Sequence, residues 1–260
     1  MQKVNVIFQK TALDFLSSLD DNSVDMIYTD PPFGTGQKQV MDRKKSGKVI
    51  SKTQYQDPKT QYIDFMTDHI KEMHRVLKDT GTLYLHLDWH FGHRVRCILD
   101  DVFGEDNFLN EVIWAYDFGG RGKDCWPKKH DNIYVYAKKK NSHKFNWDDI
   151  DRLPYMAPAL QKDKQKAENG KVPTDVWWMS IVGTQSKERV GYPTQKPVSL
   201  VERMIIASSD KNDLVIDPFM GSGTTAAACL KTGRKFLGSD NNQQAIDTMK
   251  VRFEDLAEFE

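Results

Sequence analysis

The sequence predicts an α/β fold, a mostly parallel sheet with helices packed on both faces. Two observations carry that expectation. Short β-rich runs alternate with helical periodicities along the chain. The two sharpest motifs also each stand at the end of a β-rich run, where open α/β sheets place their ligands. The length of 260 residues suits one large domain, or one domain with an insertion.

The β-rich runs, in order, are NVIF (5–8), DMIYTD (25–30), TLYLHL (82–87), IYVYA (133–137), LVID (214–217) and KFLGSD (235–240). Between them, residues 61–78 place Ile63, Met66, Ile70, Met73 and Leu77 three to four apart, which gives one apolar helical stripe. Gly81 follows as the expected helix stop. Residues 199–208 and 243–259 also fit helices, the acidic C-terminal residues forming a solvated face. Cys97 and Cys229 fall in apolar helical patterns and are expected in the core.

Composition narrows the function classes. Lys plus Arg and Asp plus Glu are both 37, so the formal net charge is zero. No stretch approaches the roughly 18 apolar residues of a membrane span, and the N-terminus lacks a secretory pattern. A soluble, cytoplasmic protein without a membrane role is expected. Cys97, Cys125 and Cys229 are odd in number with no CxxC spacing, against a disulfide scaffold and a structural zinc site. His86, His90 and His93 beside Asp88 are spaced as metal ligands can be, but they stand at a strand-to-helix junction, and no metal is expected.

The charge is unevenly distributed. Residues 37–60 hold seven basic residues against Asp42 and Asp57, a net of +5. Residues 121–171 hold thirteen basic against seven acidic residues, a net of +6. Aromatics such as Trp126, Phe145 and Trp147 are interleaved in the second segment, and Trp177 and Trp178 follow it. A generic charge run is a solvated loop. Segregation of positive charge in a neutral chain is what a polyanion-binding face requires.

The run LVIDPFMGSGTTAAACLKTGRKFLGSDNN reads as strand, tight loop, helix and strand. Gly221 and Gly223 permit positive φ where the chain leaves the strand. Thr224 and Thr225 are placed to cap the following helix, whose N–H groups face a ligand. Asp240 ends the next strand, nineteen residues after Gly221, where a carboxylate can accept two ribose hydroxyls. Taken alone, Gly221-x-Gly223-x-x-Ala226 also fits a dinucleotide-binding oxidoreductase. The second motif, Asp30-Pro31-Pro32-Phe33, ends the run DMIYTD. Alone it reads as a turn.

Together the two motifs resemble those of the DNA amino methyltransferases. Asp217, Phe219, Gly221, Ser222, Gly223 and Thr224 match that family's S-adenosyl-L-methionine loop, and Asp30, Pro31, Pro32 and Phe33 its catalytic tetrapeptide. The oxidoreductase reading leaves the tetrapeptide and the basic segments unexplained. The catalytic strand comes first and the cofactor loop last, a circularly permuted order that resembles the β class of the family. Residues 104–114, 128–139 and 186–209 are also similar to family segments, the last through Thr194, Gln195, Lys196 and Pro197.

The resemblance implies a seven-stranded methyltransferase sheet with an inserted target-recognition region. Its parts would be a catalytic half over 1–116, a DNA-binding region over 117–190 and a cofactor-binding half over 191–260. It further implies that the methionine end of the cofactor lies by residues 194–197 and 217–224, and that Asp240 and Asn241 lie at its ribose. Lys10-Thr11, ahead of Ala12, stands where members often have Gly-Asp, so either Thr11, with Ala12 beside it, takes over the contact to the cofactor's adenine amine or that contact is lost. The activity implied is methylation of adenine N6 in a base flipped from double-stranded DNA, with cytosine N4 as the alternative. Aspartate at position 30 favours adenine, since the cytosine enzymes more often carry serine there. Lys44, Lys45, Arg121 and Lys123 are the expected phosphate contacts. A homodimer is compatible with the resemblance, and a restriction endonuclease partner is left unassigned.

Overall fold

The structure is a computed structural model that describes residues 3–33, 38–45, 48–56, 61–120 and 123–260; for 38–45 and 48–56 the description is of the backbone. Arg121 lies outside the described residues, and Lys44 and Lys45 are placed by their backbone alone.

The chain opens with β1 (Val6–Phe8), α1 (Ala12–Ser17) and β2 (Val24–Thr29). An antiparallel ribbon of β3 (Lys38–Lys45) and β4 (Lys48–Gln56) follows, so the first basic segment contains a hairpin. Next come α2 (Tyr62–Val76), β5 (Leu77–Leu87), α3 (Gly92–Phe103), β6 (Phe108–Ala115) and β7 (His130–Ala137). A largely irregular stretch holds α4 (Lys164–Asn169) and β8 (Val176–Trp178). The chain closes with α5 (Val198–Ser208), β9 (Leu214–Asp217), α6 (Thr224–Thr232), β10 (Lys235–Ser239), α7 (Gln243–Phe253) and β11 (Glu258–Phe259).

One nine-stranded sheet has the order β11-β1-β10-β9-β2-β5-β7-β6-β8. The expected seven strands form its centre, and β11 and β8 extend its two edges. β7 runs antiparallel to β5 and β6, and the other pairings are parallel. β2 and β9 are neighbours through Met26–Val215 and Ile27–Ile216, although the motifs they carry, at Asp30 and after Asp217, lie far apart in sequence. Because the strands are parallel, both motifs leave the same edge of the sheet. The span 117–190 is not separate from the sheet, since β7 stands between β5 and β6.

Alternation along the strands feeds two cores. Ile27, Leu83 and Ile216 pack with Phe15 of α1, Met66, Ile70 and Met73 of α2, and Leu99 of α3. Met26, Val215 and Phe236 pack on the other face with Leu200 and Met204 of α5, Ala226 of α6 and Met249 of α7. Helices therefore cover both faces, as expected.

Three local expectations fail. The helix from 61 ends at Val76, and Gly81 lies inside β5. Its glycine serves close approach instead of a helix stop: a Cβ there would sit 2.7 Å from Leu77 Cγ and 2.9 Å from the Asp25 carbonyl oxygen. The C-terminal helix ends at Phe253, because Glu254 takes φ 37° and turns the chain so that β11 can pair with β1. Cys97 is exposed while Cys229 is buried. In α3 the buried face runs through Val95, Leu99 and Phe103, a spacing of four that turns Cys97 outward.

Candidate active site

A cavity of about 490 Å³ opens at the edge of the sheet where β2 and β9 end. It gathers Thr11, Ala12, Asp30, Pro31, Pro32, Phe33, Thr194, Lys196, Asp217, Phe219, Gly221, Ser222, Thr224, Asp240 and Asn241, so most of the residues singled out in the sequence share one space. Gln195, Pro197 and Gly223 do not line it. Gln195 is spent on its own loop, donating to the Glu188 carbonyl oxygen at 2.6 Å and accepting from the Val190 N–H at 2.9 Å. Pro197 is the N-cap residue of α5. Gly223 turns against α7, where a Cβ would meet Phe253 Cε2 at 2.5 Å. A separate cavity of about 530 Å³, walled by Tyr84, Val135, Trp147, Trp177 and Met204, contains none of the candidate residues.

The glycine loop has the expected backbone, with φ 51° at Gly221 and 79° at Gly223. Its hydrogen bonds differ from expectation. Neither threonine caps α6; Gly223 is its N-cap residue, in the left-handed region. Thr225 Oγ1 donates to Asp217 Oδ2 at 2.5 Å, and Thr224 Oγ1 donates to the Lys196 carbonyl oxygen at 3.1 Å. Both hydroxyls point inward because the loop and the 194–197 segment need buried partners. Asp217 also accepts from the Phe219 N–H at 2.9 Å. Burial outweighs these bonds and pushes its carboxyl up to about 7.

Asp240 accepts from the Gly221 N–H and the Asn242 N–H, both at 2.8 Å, so it holds the loop as well as facing the cavity. Burial raises its carboxyl above the usual range. Thr11 is the N-cap residue of α1, accepting from the Asp14 N–H at 3.2 Å.

Asp30 follows the last residue of β2. Lys196 Nζ donates to its Oδ2 at 2.5 Å. Its Oδ1 is buried and has no partner among the described residues. Phe33 lies beside it, with Lys196 Nζ 5.3 Å from the ring centroid. Sequence reasoning missed what supports this corner. The Tyr28 hydroxyl and His86 Nδ1 are 3.0 Å apart, His86 Nε2 and Asp131 Oδ2 are 3.1 Å apart, and the Tyr116 hydroxyl donates to Asp131 Oδ1 at 3.0 Å. Burial works to raise the Asp131 carboxyl, but hydrogen bonding to His86 and the charge of Lys196 hold it below the usual range. No periodicity signals this chain, since its members come from β2, β5, β7 and the segment after β6. His86 is thus committed to a buried network and Asp88 is paired with His90. Among the described residues no cluster is placed to hold a metal ion. Phe65 and His69 of α2 were also missed; they form an aromatic wall with Phe219, the centroids 6.0 and 5.3 Å from its ring.

The cavity therefore combines three carboxylates, one lysine, an aromatic wall and a loop of backbone at positive φ. That donor set suits a cationic, purine-bearing ligand such as S-adenosyl-L-methionine. Residues 24–251 match the family model for N6/N4-type methyltransferases, described as DNA methylase. The chain belongs to this family, and is an enzyme that methylates DNA with S-adenosyl-L-methionine as the methyl donor. Among its relatives, the type II methyltransferase M.HpaI of Haemophilus parainfluenzae is 34% identical over 94% of this chain and 72% of its own. The DNA adenine methyltransferase YhdJ of Escherichia coli (strain K12) is 30% identical over 94% of this chain and 81% of its own. The fold is shared with the cytosine-N4-specific PvuII DNA methyltransferase, at a TM-score of 0.69 and 18% identity over 96% of this chain and 86% of that one. It is shared too with M1.HpyAVI, solved as a complex with SAM, at a TM-score of 0.62 and 21% identity over 95% and 98%. Among the described residues no helix is long and apolar enough to cross a membrane.

Proposed function

We propose that the enzyme transfers a methyl group to the N6 amine of an adenine extruded from double-stranded DNA. The observation that carries this reading is Asp30 Oδ1, a buried carboxylate oxygen without a partner among the described residues, in the same cavity as the glycine loop and Asp240. An unpaired buried acceptor is costly, and an incoming N–H donor relieves that cost. Held by this cavity, the cofactor supplies an electrophilic methyl carbon on a sulfonium. Asp30 Oδ1 and the Pro31 carbonyl accept the two amine hydrogens, and the nitrogen lone pair leaves conjugation with the ring. The freed pair would attack the methyl carbon that the bound cofactor would supply, with the C–S bonding pair left on sulfur, and Asp30 Oδ1 would take the proton that the methylated amine releases and pass it to solvent. Pro31 and Pro32 stiffen the acceptors before the base arrives, and Phe33 offers a ring for it to stack on. A base inside a duplex cannot reach this cavity, so flipping is required. The relative described as an adenine methyltransferase and the aspartate at position 30 support adenine over cytosine. Nucleoside analysis of DNA incubated with enzyme and labelled cofactor decides between them: N6-methyladenine is expected, and label in N4-methylcytosine would overturn the choice of base.

Asp240 is proposed to bind the ribose of the cofactor. Charged hydrogen bonds contribute about 1.5–3 kcal/mol each, so Asp240→Ala is expected to weaken cofactor binding by roughly 10- to 100-fold in calorimetry. Asp240→Asn, which still accepts from Gly221 N–H, should fall between. Wild-type affinity in the alanine variant would place the ribose elsewhere.

DNA is proposed to lie along the edge that carries Asp30. β5 runs parallel to β2, Leu87 pairs with Asn132, and Ala115 pairs with His130, so residues 116–120 and 123–129 emerge on that edge. Trp126 is 91% and Trp178 75% exposed, and Lys128 Nζ stands 4.5 Å from the Trp89 ring. The target-recognition elements are assigned to 117–190 outside β7. Neutralising Lys44, Lys45, Arg121 and Lys123 together should weaken binding to any duplex and reduce the salt slope by roughly 0.9 for each phosphate no longer neutralised. An unchanged slope would leave the positive charge of both segments as solvated surface without a part in DNA binding.

A further inference from the structure

Lys196 belongs to the segment whose resemblance assigns it to the methionine end of the cofactor, yet its side chain is turned to Asp30. Both partners are largely buried, with side-chain exposures of 10% and 17%. The lysine main chain is fixed first. Its carbonyl accepts from Thr224 on the cofactor loop at 3.1 Å, and the flanking backbone is held by Gln195 and by Glu188, whose Oε2 accepts from the Val198 N–H at 3.1 Å. The ammonium then has Asp30 Oδ2 at 2.5 Å and the Phe33 ring beside it. A carboxylate turns easily about its last bond; with Oδ2 anchored, Oδ1 keeps one direction.

We propose that Lys196 is a positioning residue for methyl transfer: by clamping Asp30 Oδ2 it aims the free Oδ1 at the amine of the acceptor base. The proposal rests on the reading of Asp30 given above. It assigns Lys196 to the acceptor side of the cavity, and through Thr224 it ties the aim of Asp30 to the loop that holds the cofactor. Phe33, which is to stack on the base, touches the same ammonium, so anchor, acceptor and stacking ring form one unit.

The test compares Lys196→Met, Lys196→Gln and Lys196→Arg with the wild type, each checked for folding by thermal unfolding. Misplacement of a reacting group by about 1 Å can cost on the order of 100-fold, and a loss of kcat of that order is expected for Met and Gln. Cofactor affinity by calorimetry and KM for DNA should stay within a few-fold. Arginine, which can still donate to Oδ2, should recover most of kcat. Tenfold or greater loss of cofactor affinity with kcat preserved at saturation would overturn the proposal and return Lys196 to the cofactor. Unchanged kcat in the Met and Gln variants would also overturn it. If the Met and Gln variants do not fold, an arginine variant without activity but with normal cofactor binding is the result that overturns it, and one with near-normal kcat supports it. Absence of DNA methylation by the wild type would instead sink the reading of Asp30 itself.

Discussion

Asp30→Ala is expected to keep cofactor binding and to lose methyl transfer on the order of 1,000-fold or more. The magnitude follows from removing one preorganised group at the reacting centre, which costs about 100- to 1,000-fold, together with disruption of the geometry around it. The carboxylate is not among the groups that hold the glycine loop; those are Asp217 and Asp240. Calorimetry with the cofactor should therefore read near wild type, and single-turnover methylation should collapse. The alanine variant leaves the Lys196 ammonium buried without its anion, which is costly. Asp30→Asn is the companion variant, since it keeps the shape and one acceptor oxygen. Turnover within a few-fold of wild type in both would reduce Asp30 to a turn residue. A parallel loss of cofactor binding would move it to the cofactor side of the cavity.

The second large effect concerns stability. Burial raises the Asp217 carboxyl to about 7, against about 3.9 in an unfolded chain. The folded state therefore holds a proton that the unfolded state releases over the intervening pH range. Stability from this group is complete below about pH 4, declines as pH rises towards 7, and is flat above it. The difference between the two states corresponds to about 4 kcal/mol. Asp217→Asn cannot ionise and retains an acceptor for the Phe219 N–H, so denaturant unfolding should show its stability gaining on the wild type by about that amount between roughly pH 4 and 7.5. Equal slopes in the two proteins would mean that Asp217 is ionised throughout. A cation bound beside Asp217 favours its charged form, so cofactor binding near pH 7 should release protons, seen as a buffer-dependent binding enthalpy.

The two motifs and the alternating pattern were legible because each depends on local chemistry. Prolines and glycines declare turns, and runs of Val, Ile and Leu declare buried strands. That both motifs end β-rich runs put them at the ligand-binding edge of an open sheet; that β2 and β9 are direct neighbours is a finding of the fold. The sequence by itself determined the fold class and singled out the glycine loop, residues 30–33 and Asp240, which line one cavity. The tertiary structure alone decided who pairs with whom. Thr224 and Thr225 look like helix caps from their spacing, yet they bond to the Lys196 carbonyl and Asp217, partners 28 and 8 residues away. Lys196 meets Asp30 across 166 residues. Tyr28, His86, Asp131 and Tyr116 form one network although they share no periodicity. The physical reason is that a buried polar group must find a partner, and the partner is chosen by proximity in the folded sheet, not by spacing along the chain.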